Sequence, residues 1–405
     1  MAEVIPFHHR RSSTAAVSLF LGLPQSGVEL LFDRVRRLGV PLEQIADPSS
    51  RLPEDDCAHC QYPELINPLL STVDPKHPVG VVLQPEADPA VIAEWFFEGL
   101  ITRPLHSMIT VIHAARFRSD YGSELTLGER FEFETQLSER AKDDTVVDLL
   151  IEGIEFCDRI VLSHCSNTSE RELVEIETLI AQLQPRAKIL RLDGERPCSD
   201  AELLEIFSPV FQYPKTIESC AWKQAIHAPN EFRFVYRKRR PFHPQRLYRL
   251  IELWPDRILR TMGQVWLASH PERAYTLNQA GLAPMNFVSE GPWLASLPES
   301  ERKAAWEHHP ELKKAWNPWT GDRMNEIAFV CEPGPLASIF QKGWMHALDA
   351  CLVRDDEIHL PPTDFVDPFP KATHSGELDE EAGIAEDSKV LRLLKPEDLD
   401  TTPNA

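Results

Sequence analysis

Two short stretches carry residue types and spacings that could do chemistry. In the first, Gly22-Leu23-Pro24-Gln25-Ser26-Gly27-Val28-Glu29, both glycines keep the GxxxxGK[ST] spacing of a phosphate-binding loop, between a strand-like apolar run at 15–21 and a helical run at 28–38. The chemistry of that loop is gone: Val28 stands where its lysine belongs and Glu29 where its magnesium-binding hydroxyl belongs. The lysine meets phosphate as a point charge. At about 4 Å and an effective dielectric near 20, one such pair is on the order of 4 kcal/mol, and about 1.4 kcal/mol is already a factor of ten in affinity. Glu29 could ligate a metal but would repel a triphosphate. The plainer reading of Gly22 and Gly27 is that they shape a strand-to-helix turn, and that reading is favoured. The second stretch, Cys57-Ala58-His59-Cys60, offers two thiolates and an imidazole, donors that suit Zn²⁺ or Cu(I) and not Mg²⁺. Set against that is the reading of Cys57, His59 and Cys60 as ordinary loop residues.

Weaker candidates are scattered further on. His308-His309, with His346 and His359, make a loose metal patch, but adjacent histidines on a helix point about 100° apart, so surface residues are the better reading. Cys165 beside His164 invites a nucleophile reading that lacks an orienting group or an oxyanion hole nearby. The positive stretch at 237–240, with Arg246 and Arg249, could touch RNA or an acidic surface, and reads better as a strand leading into a helix with Pro244 in its first turn. Trp306, Trp316 and Trp319, interleaved with Pro310 and Pro318, read equally as a contact surface or as core.

The elements that would hold these residues follow from periodicity. Apolar strand-like runs at 15–21, 79–83, 108–113, 159–162 and 188–192 alternate with amphipathic helices, the pattern of an α/β domain with a mostly parallel sheet. The helix at 170–183 opens on a capping box, Ser169 with Glu172, and stops before Pro185. Strands at 232–236, 263–268, 274–279 and 325–331, with helices at 244–253 and 336–351, form an α+β pattern. The expected organisation is a polar leader at 1–13, an α/β domain at 14–207, a proline-bearing linker at 208–230, an α+β domain at 231–355 and an acidic, mostly disordered tail at 356–405.

At 405 residues, 42% hydrophobic and 26% charged, the chain suits a soluble two-domain protein. Its longest apolar run, near 15–23, is about half of what a membrane crossing needs, so no membrane segment and no signal peptide are expected. Eight scattered cysteines point to reduced thiols and a cytoplasmic location. A net charge of −21 argues against direct nucleic-acid binding and suits basic partners, ribosomal proteins among them.

Several strings in the second domain carry a family resemblance: Phe234-Val-Tyr-Arg-Lys-Arg-Arg-Pro-Phe-His-Pro244, Gly263-Gln-Val-Trp-Leu-Ala268, Asn278-Gln-Ala-Gly281 and Gly321-Asp-Arg-Met-Asn-Glu-Ile327. In order and spacing they resemble the C-terminal domain of the CobW class of metal-chaperone GTPases. The resemblance implies a P-loop NTPase-like domain of parallel strands flanked by helices, followed by the smaller CobW C-terminal domain. The first domain resembles the family's GTPase domain more in layout than in chemistry. Ala87-Asp88-Pro89 is similar to the family's ADP segment, without the acidic residue and glycine upstream of it. His113 stands where the family's next strand ends in Asp, and Ser163, His164 and Ser166 fill the places of Asn, Lys and Asp in the guanine-reading NKxD motif. The resemblance also places Cys57, His59 and Cys60 at the family's CxCC metal motif. It implies zinc as the metal, while the replaced residues Val28, Glu29, Ser163 and Ser166 point to no GTP or magnesium binding and to a non-catalytic adaptor of zinc homeostasis. In loop decay and length the chain is similar to a branch that recruits a ribosome hibernation factor under zinc limitation. The alternative is a metallochaperone serving a metal-requiring client, and a working GTPase is the least favoured.

Overall fold

A computed structural model describes residues 16–48, 58–85, 87–131, 144–207, 225–226, 229–283, 285–308 and 310–369. The chain divides into two units at Cys220/Ala221. The first unit is a sheet of six parallel strands with helices on both faces. Its strands are β1 (Val17–Leu21), β2 (Glu43–Ala46), β3 (Val79–Val82), β4 (Leu105–His113), β5 (Arg159–Ser163) and β6 (Lys188–Arg191), in the order β2-β3-β1-β4-β5-β6. Every residue of β1 is buried, as a central parallel strand covered on both faces requires. Alternation along β1 then sorts its side chains. Val17, Leu19 and Leu21 pack with helices α2 (Ala58–Thr72) and α3 (Pro89–Phe97). Phe20, on the opposite face, packs with Leu31, Phe32 and Val35 of helix α1 (Val28–Arg37).

Short helices α4 (Phe117–Tyr121) and α5 (Leu127–Phe131) follow β4, and α6 (Val146–Glu155) precedes β5. Helix α7 (Glu170–Leu183) begins where Ser169 caps it and ends before Pro185, with both halves of the capping box formed. Helix α8 (Asp200–Leu204) closes the unit with a second capping box, Ser199 with Glu202.

The second unit is a five-stranded antiparallel sheet, β7 (Arg233–Lys238), β8 (Ile258–Trp266), β9 (Arg273–Ala280), β10 (Asn286–Pro292) and β11 (Asn325–Cys331), ordered β10-β9-β8-β11-β7. Helices α9 (Pro244–Ile251) and α12 (Ala337–Ala350) contribute Leu247, Ile251, Trp344 and Leu348 to the core built on Tyr236, Phe242 and Phe329. Helices α10 (Glu299–His308) and α11 (Pro310–Ala315) lie between β10 and β11.

The packed part of this unit runs past residue 355, where the sequence places the start of the tail. Phe365 packs with Ala268 and Val353, and Phe369 stacks on Phe287. Asp367 accepts a hydrogen bond from Ser269 Oγ and pairs with His270 at 3.3 Å. Aromatic burial thus makes 356–369 part of the second unit. The remaining expected tail, the leader at 1–13 and most of the linker lie outside the described residues.

Candidate functional site

The phosphate-loop segment joins β1 to α1, and both glycines are dictated by its geometry. A Cβ on Gly22 would lie 2.8 Å from the Val111 carbonyl oxygen and 2.3 Å from Ser26 Oγ. Gly27 has φ +96°, and its Cβ would lie 2.6 Å from Ser163 Oγ. The turn is closed by Ser26 N–H donating to the Leu23 carbonyl (3.0 Å), and α1 starts with Leu31 N–H donating to Gly27 (3.2 Å).

Around this backbone, the polar side chains serve the loop. Ser163, fully buried at the end of β5, donates its hydroxyl proton to the Ser26 carbonyl at 2.5 Å. With that single proton committed, the 2.9 Å contact between Ser163 Oγ and His164 Nδ1 is supplied by the ring's N–H. Arg116, just beyond β4, donates from Nη2 to the Pro24 carbonyl (2.7 Å) and from Nη1 to Gln25 Oε1 (3.1 Å). Its guanidinium also sits 5.3 Å from the Phe131 ring centroid.

Asp193 holds the segment that follows β5. Its Oδ2 accepts from His164 N–H (3.0 Å) and its Oδ1 from Ser166 N–H (3.1 Å). His164 takes a left-handed backbone conformation, φ 55°, and its ring stacks on His113 at 4.0 Å and 4°. Burial, then the neighbouring His164 and Arg116, push the His113 imidazole down to about 4, so it is neutral at pH 7.

Val28 and Glu29, which follow Gly27, make contacts of other kinds. Val28 packs on the apolar cluster beneath α1. Glu29 is exposed and accepts from Gln44 Nε2 at 3.3 Å. A pocket lined by Leu21, Gly22, Gln84, Pro85, Thr110 and Glu152, among others, opens beside the loop, and its lining contains no lysine, arginine or histidine to receive an anion. Asp88 is a structural residue, accepting from Ala90 and Val91 N–H to cap α3.

Of the metal-motif residues, Cys57 lies outside the described residues, and His59 and Cys60 fall in the first turn of α2, where the backbone alone is described. Next along the helix, Tyr62 is buried and stacks on Trp95 at 5.5 Å. Burial, with the carboxylate of Asp47 as a smaller contribution, holds its hydroxyl well above its ordinary pKa. Asp47 is itself 1% exposed and accepts from Gln84 N–H at 3.0 Å. Among the described residues no cluster of three His, Cys, Asp or Glu could hold a metal. His346 and His359 are exposed, and the His308 side chain and His309 lie outside the description.

The other candidates become structural residues. Cys165 is 2% exposed, donates to the Leu162 carbonyl and is pushed up to about 11 by burial, which is the opposite of an activated thiol. The basic string meets carboxylates: Arg237 pairs with Glu326 (2.6 Å), Lys238 with Asp349 (3.0 Å), Arg240 with Asp355 (2.7 Å) and Arg246 with Glu357 (2.6 Å). Trp306 and Trp316 pack edge to face at 5.1 Å, whereas Trp319 is 92% exposed. Arg116 and Asp193, which hold the loop and the segment after β5, were not singled out by sequence. Each acts on residues 27 or more positions away, a separation that leaves no local pattern.

Residues 233–351 form a CobW C-terminal domain, matching the family described as "Cobalamin synthesis protein cobW C-terminal domain". Among individual proteins, the chain is 31% identical over 294 residues to "Zinc-regulated GTPase metalloprotein activator 1" of Dictyostelium discoideum, covering 68% of this chain and 59% of that one. It is 30% identical over 230 residues to the zinc chaperone Rv0106 of Mycobacterium tuberculosis, covering 56% and 54%. The chain therefore spans between half and two thirds of the length of these curated relatives. The zinc-bound YjiA GTPase of E. coli aligns over 84% of this chain and 99% of its own at 13% identity, with a TM-score of 0.31. No helix among the described residues is long and apolar enough to cross a membrane.

Proposed function

We propose that this chain handles zinc without hydrolysing GTP, and passes the metal, or the signal of its scarcity, to a protein client. The observation that carries the reading is the bond from Ser163 Oγ to the Ser26 carbonyl. Where a guanine-reading asparagine would stand, the side chain is spent on the loop's own backbone, while Val28 and Glu29 supply neither the cation nor the hydroxyl that a magnesium–triphosphate needs. The base-reading aspartate is replaced by Ser166, so purine selectivity is lost separately. Calorimetric titration with magnesium–GTP should detect no micromolar binding, and tight binding would end the reading.

Cys57, His59 and Cys60 are the proposed zinc ligands. Thiolate and imidazole donors support zinc, and the names of the two curated relatives refer to that metal. The purified chain should carry about one zinc by mass spectrometry, lost in the Cys57→Ser/Cys60→Ser double variant. Unchanged zinc content in that variant would remove the site. A narrower form of the proposal is that the client is a ribosome hibernation factor recruited to ribosomes when zinc is limiting, and the acidic charge of the chain is compatible with basic ribosomal neighbours. Co-sedimentation of the chain with ribosomes from zinc-limited cells should appear on that form and be missing if the client is a zinc enzyme.

A further inference from the structure

We propose that the outer last turn of α3 is a docking face taken by residues 4–11 of the same chain, with Val4, Ile5 and Phe7 against its apolar side chains and Arg10 and Arg11 opposite its glutamates. Helix α3 is apolar nearly all round, with Glu94 as its single charge. A helix of that kind is ordinarily covered on every side. Its inner side is covered: Ile92 and Ala93 are buried, and Trp95 and Phe96 pack on the core that also takes Ile101. The outer last turn stays half in water, with Phe97 51% and Leu100 50% exposed. Glu94 and Glu98, both exposed, lie within one turn of Phe97, and Glu98 N–H donates to the Glu94 carbonyl at 2.8 Å. Leu100 is held in place by its N–H donating to the Trp95 carbonyl (2.9 Å) and by its own carbonyl accepting from Asn67 Nδ2 (2.8 Å). The face is apolar, acidic and fixed, so an occupant would meet little ordering cost on that side.

Position, charge and composition select the occupant. The chain enters β1 close to this turn, where Val17 N–H donates at 2.9 Å to the carbonyl of Pro104, four residues beyond Leu100. Those four residues span at most about 14 Å, and the nine from Phe7 to Ala16 reach up to about 30 Å, so residues 4–11 can lie on the face. Residues 58–105 carry six carboxylates, Glu64, Asp74, Glu86, Asp88, Glu94 and Glu98, against two cations, Lys76 and Arg103. Arg103 is 6% exposed and donates to the carbonyls of Val73 and His77, which turns it away from the surface. Residues 1–13 have the opposite sign, with Arg10 and Arg11 against Glu3 and with His8 and His9 beside them. Val4-Ile5-Pro6-Phe7 directly precedes those four residues, so one short segment supplies both chemistries that the face asks for. Tethering adds to this, because a short linker sets an effective concentration in the millimolar range, roughly, and a weak contact is then well populated. The docking does not depend on the cysteine–histidine stretch, and stands or falls separately from the zinc reading.

The test places the photo-cross-linker benzoylphenylalanine at position 7 of the full chain and maps the product by tandem mass spectrometry. A mixture of isotopically labelled and unlabelled chains separates links within one chain from links between two. The link should join position 7 to residues 90–100 within one chain. Its yield should fall about tenfold in Phe97→Ser/Leu100→Ser, which corresponds to about 1.4 kcal/mol of lost contact. A smaller fall is expected in Glu94→Lys/Glu98→Lys, in Arg10→Glu/Arg11→Glu and with added salt. Combining the last two variants restores opposite charges across the contact and should recover part of the yield. Circular dichroism of the variants should match the parent, because every substituted side chain of α3 and its last turn is half exposed or more. The proposal is overturned if position 7 links to other residues, to a second chain or to nothing. It is equally overturned if the Phe97→Ser/Leu100→Ser variant folds and gives the parent yield. The parent link decides the matter by itself where a variant fails to fold.

Discussion

At the phosphate loop, shape resides in the backbone, and the surrounding side chains donate to that backbone; along the 237–240 string and Arg246, side-chain charge is set against side-chain charge. The difference separates two ways of holding a segment in place. The loop is held by Gly22, Gly27, Ser163 and Arg116 through its own backbone, with no ligand contact needed for its form. The Arg246–Glu357 pair has no such freedom, because removing the guanidinium leaves a largely buried carboxylate without its counter-charge. Glycine spacing therefore reports shape, and only the residues between and beyond the glycines report chemistry.

The sharpest way to break this contrast is at Gly27. Gly27→Ala combines left-handed strain with displacement of the Ser163 hydroxyl, and should cost the first unit about 3 kcal/mol in denaturant unfolding. A cost near zero would mean that the loop is not shaped by its glycines. Next comes Arg246→Ala, which removes a two-point contact with Glu357 and should cost the second unit about 2 kcal/mol. Arg246 holds the Glu357 carboxyl down at about 2. A carboxyl depressed in the folded state stabilises above its unfolded value, and that stability is lost as pH falls from about 4.5 towards 2. The variant should show a flatter stability profile across that window, and an unchanged profile would place the stabilisation elsewhere.

A smaller effect is expected from restoring chemistry to the preserved shape. Val28→Lys with Glu29→Ser should raise magnesium–nucleotide affinity by about tenfold, equally for ATP and GTP because Ser166 reads no base. Preference for GTP would show that base reading survives by another route. The smallest effect concerns the histidine stack. With His113 depressed to about 4 beside His164, Arg116 and Asp193, the unfolded chain binds the proton more readily. The parent should then lose stability as pH falls from about 6.5 to 4, while His113→Phe, which keeps a stacking ring without a titrating nitrogen, should lose less.

Features with local causes were legible in the sequence. Helix α7 carries its own start and stop signals, and β11 matches its apolar run residue for residue. Strand β2 was missed because Glu43, Gln44 and Ala46 on a sheet edge give no buried alternation. Strand β10 was missed because a register shift near Gly291 interrupts its period. At the site, the identities of Val28, Glu29 and Ser166 were legible in the sequence, and the contacts around them were not. Arg116 reaches Pro24 across 92 positions, and the carboxylates opposite the basic string lie 89 to 115 positions away, distances at which only the fold decides proximity.

The aromatic strap at the end of the second unit has a practical consequence. Because Phe365 and Phe369 are seated among core side chains, a chain shortened at residue 355 would expose Tyr248, Phe287 and Ala268 to water and should aggregate when expressed. Shortened or fused forms of the protein should therefore retain residues 356–369.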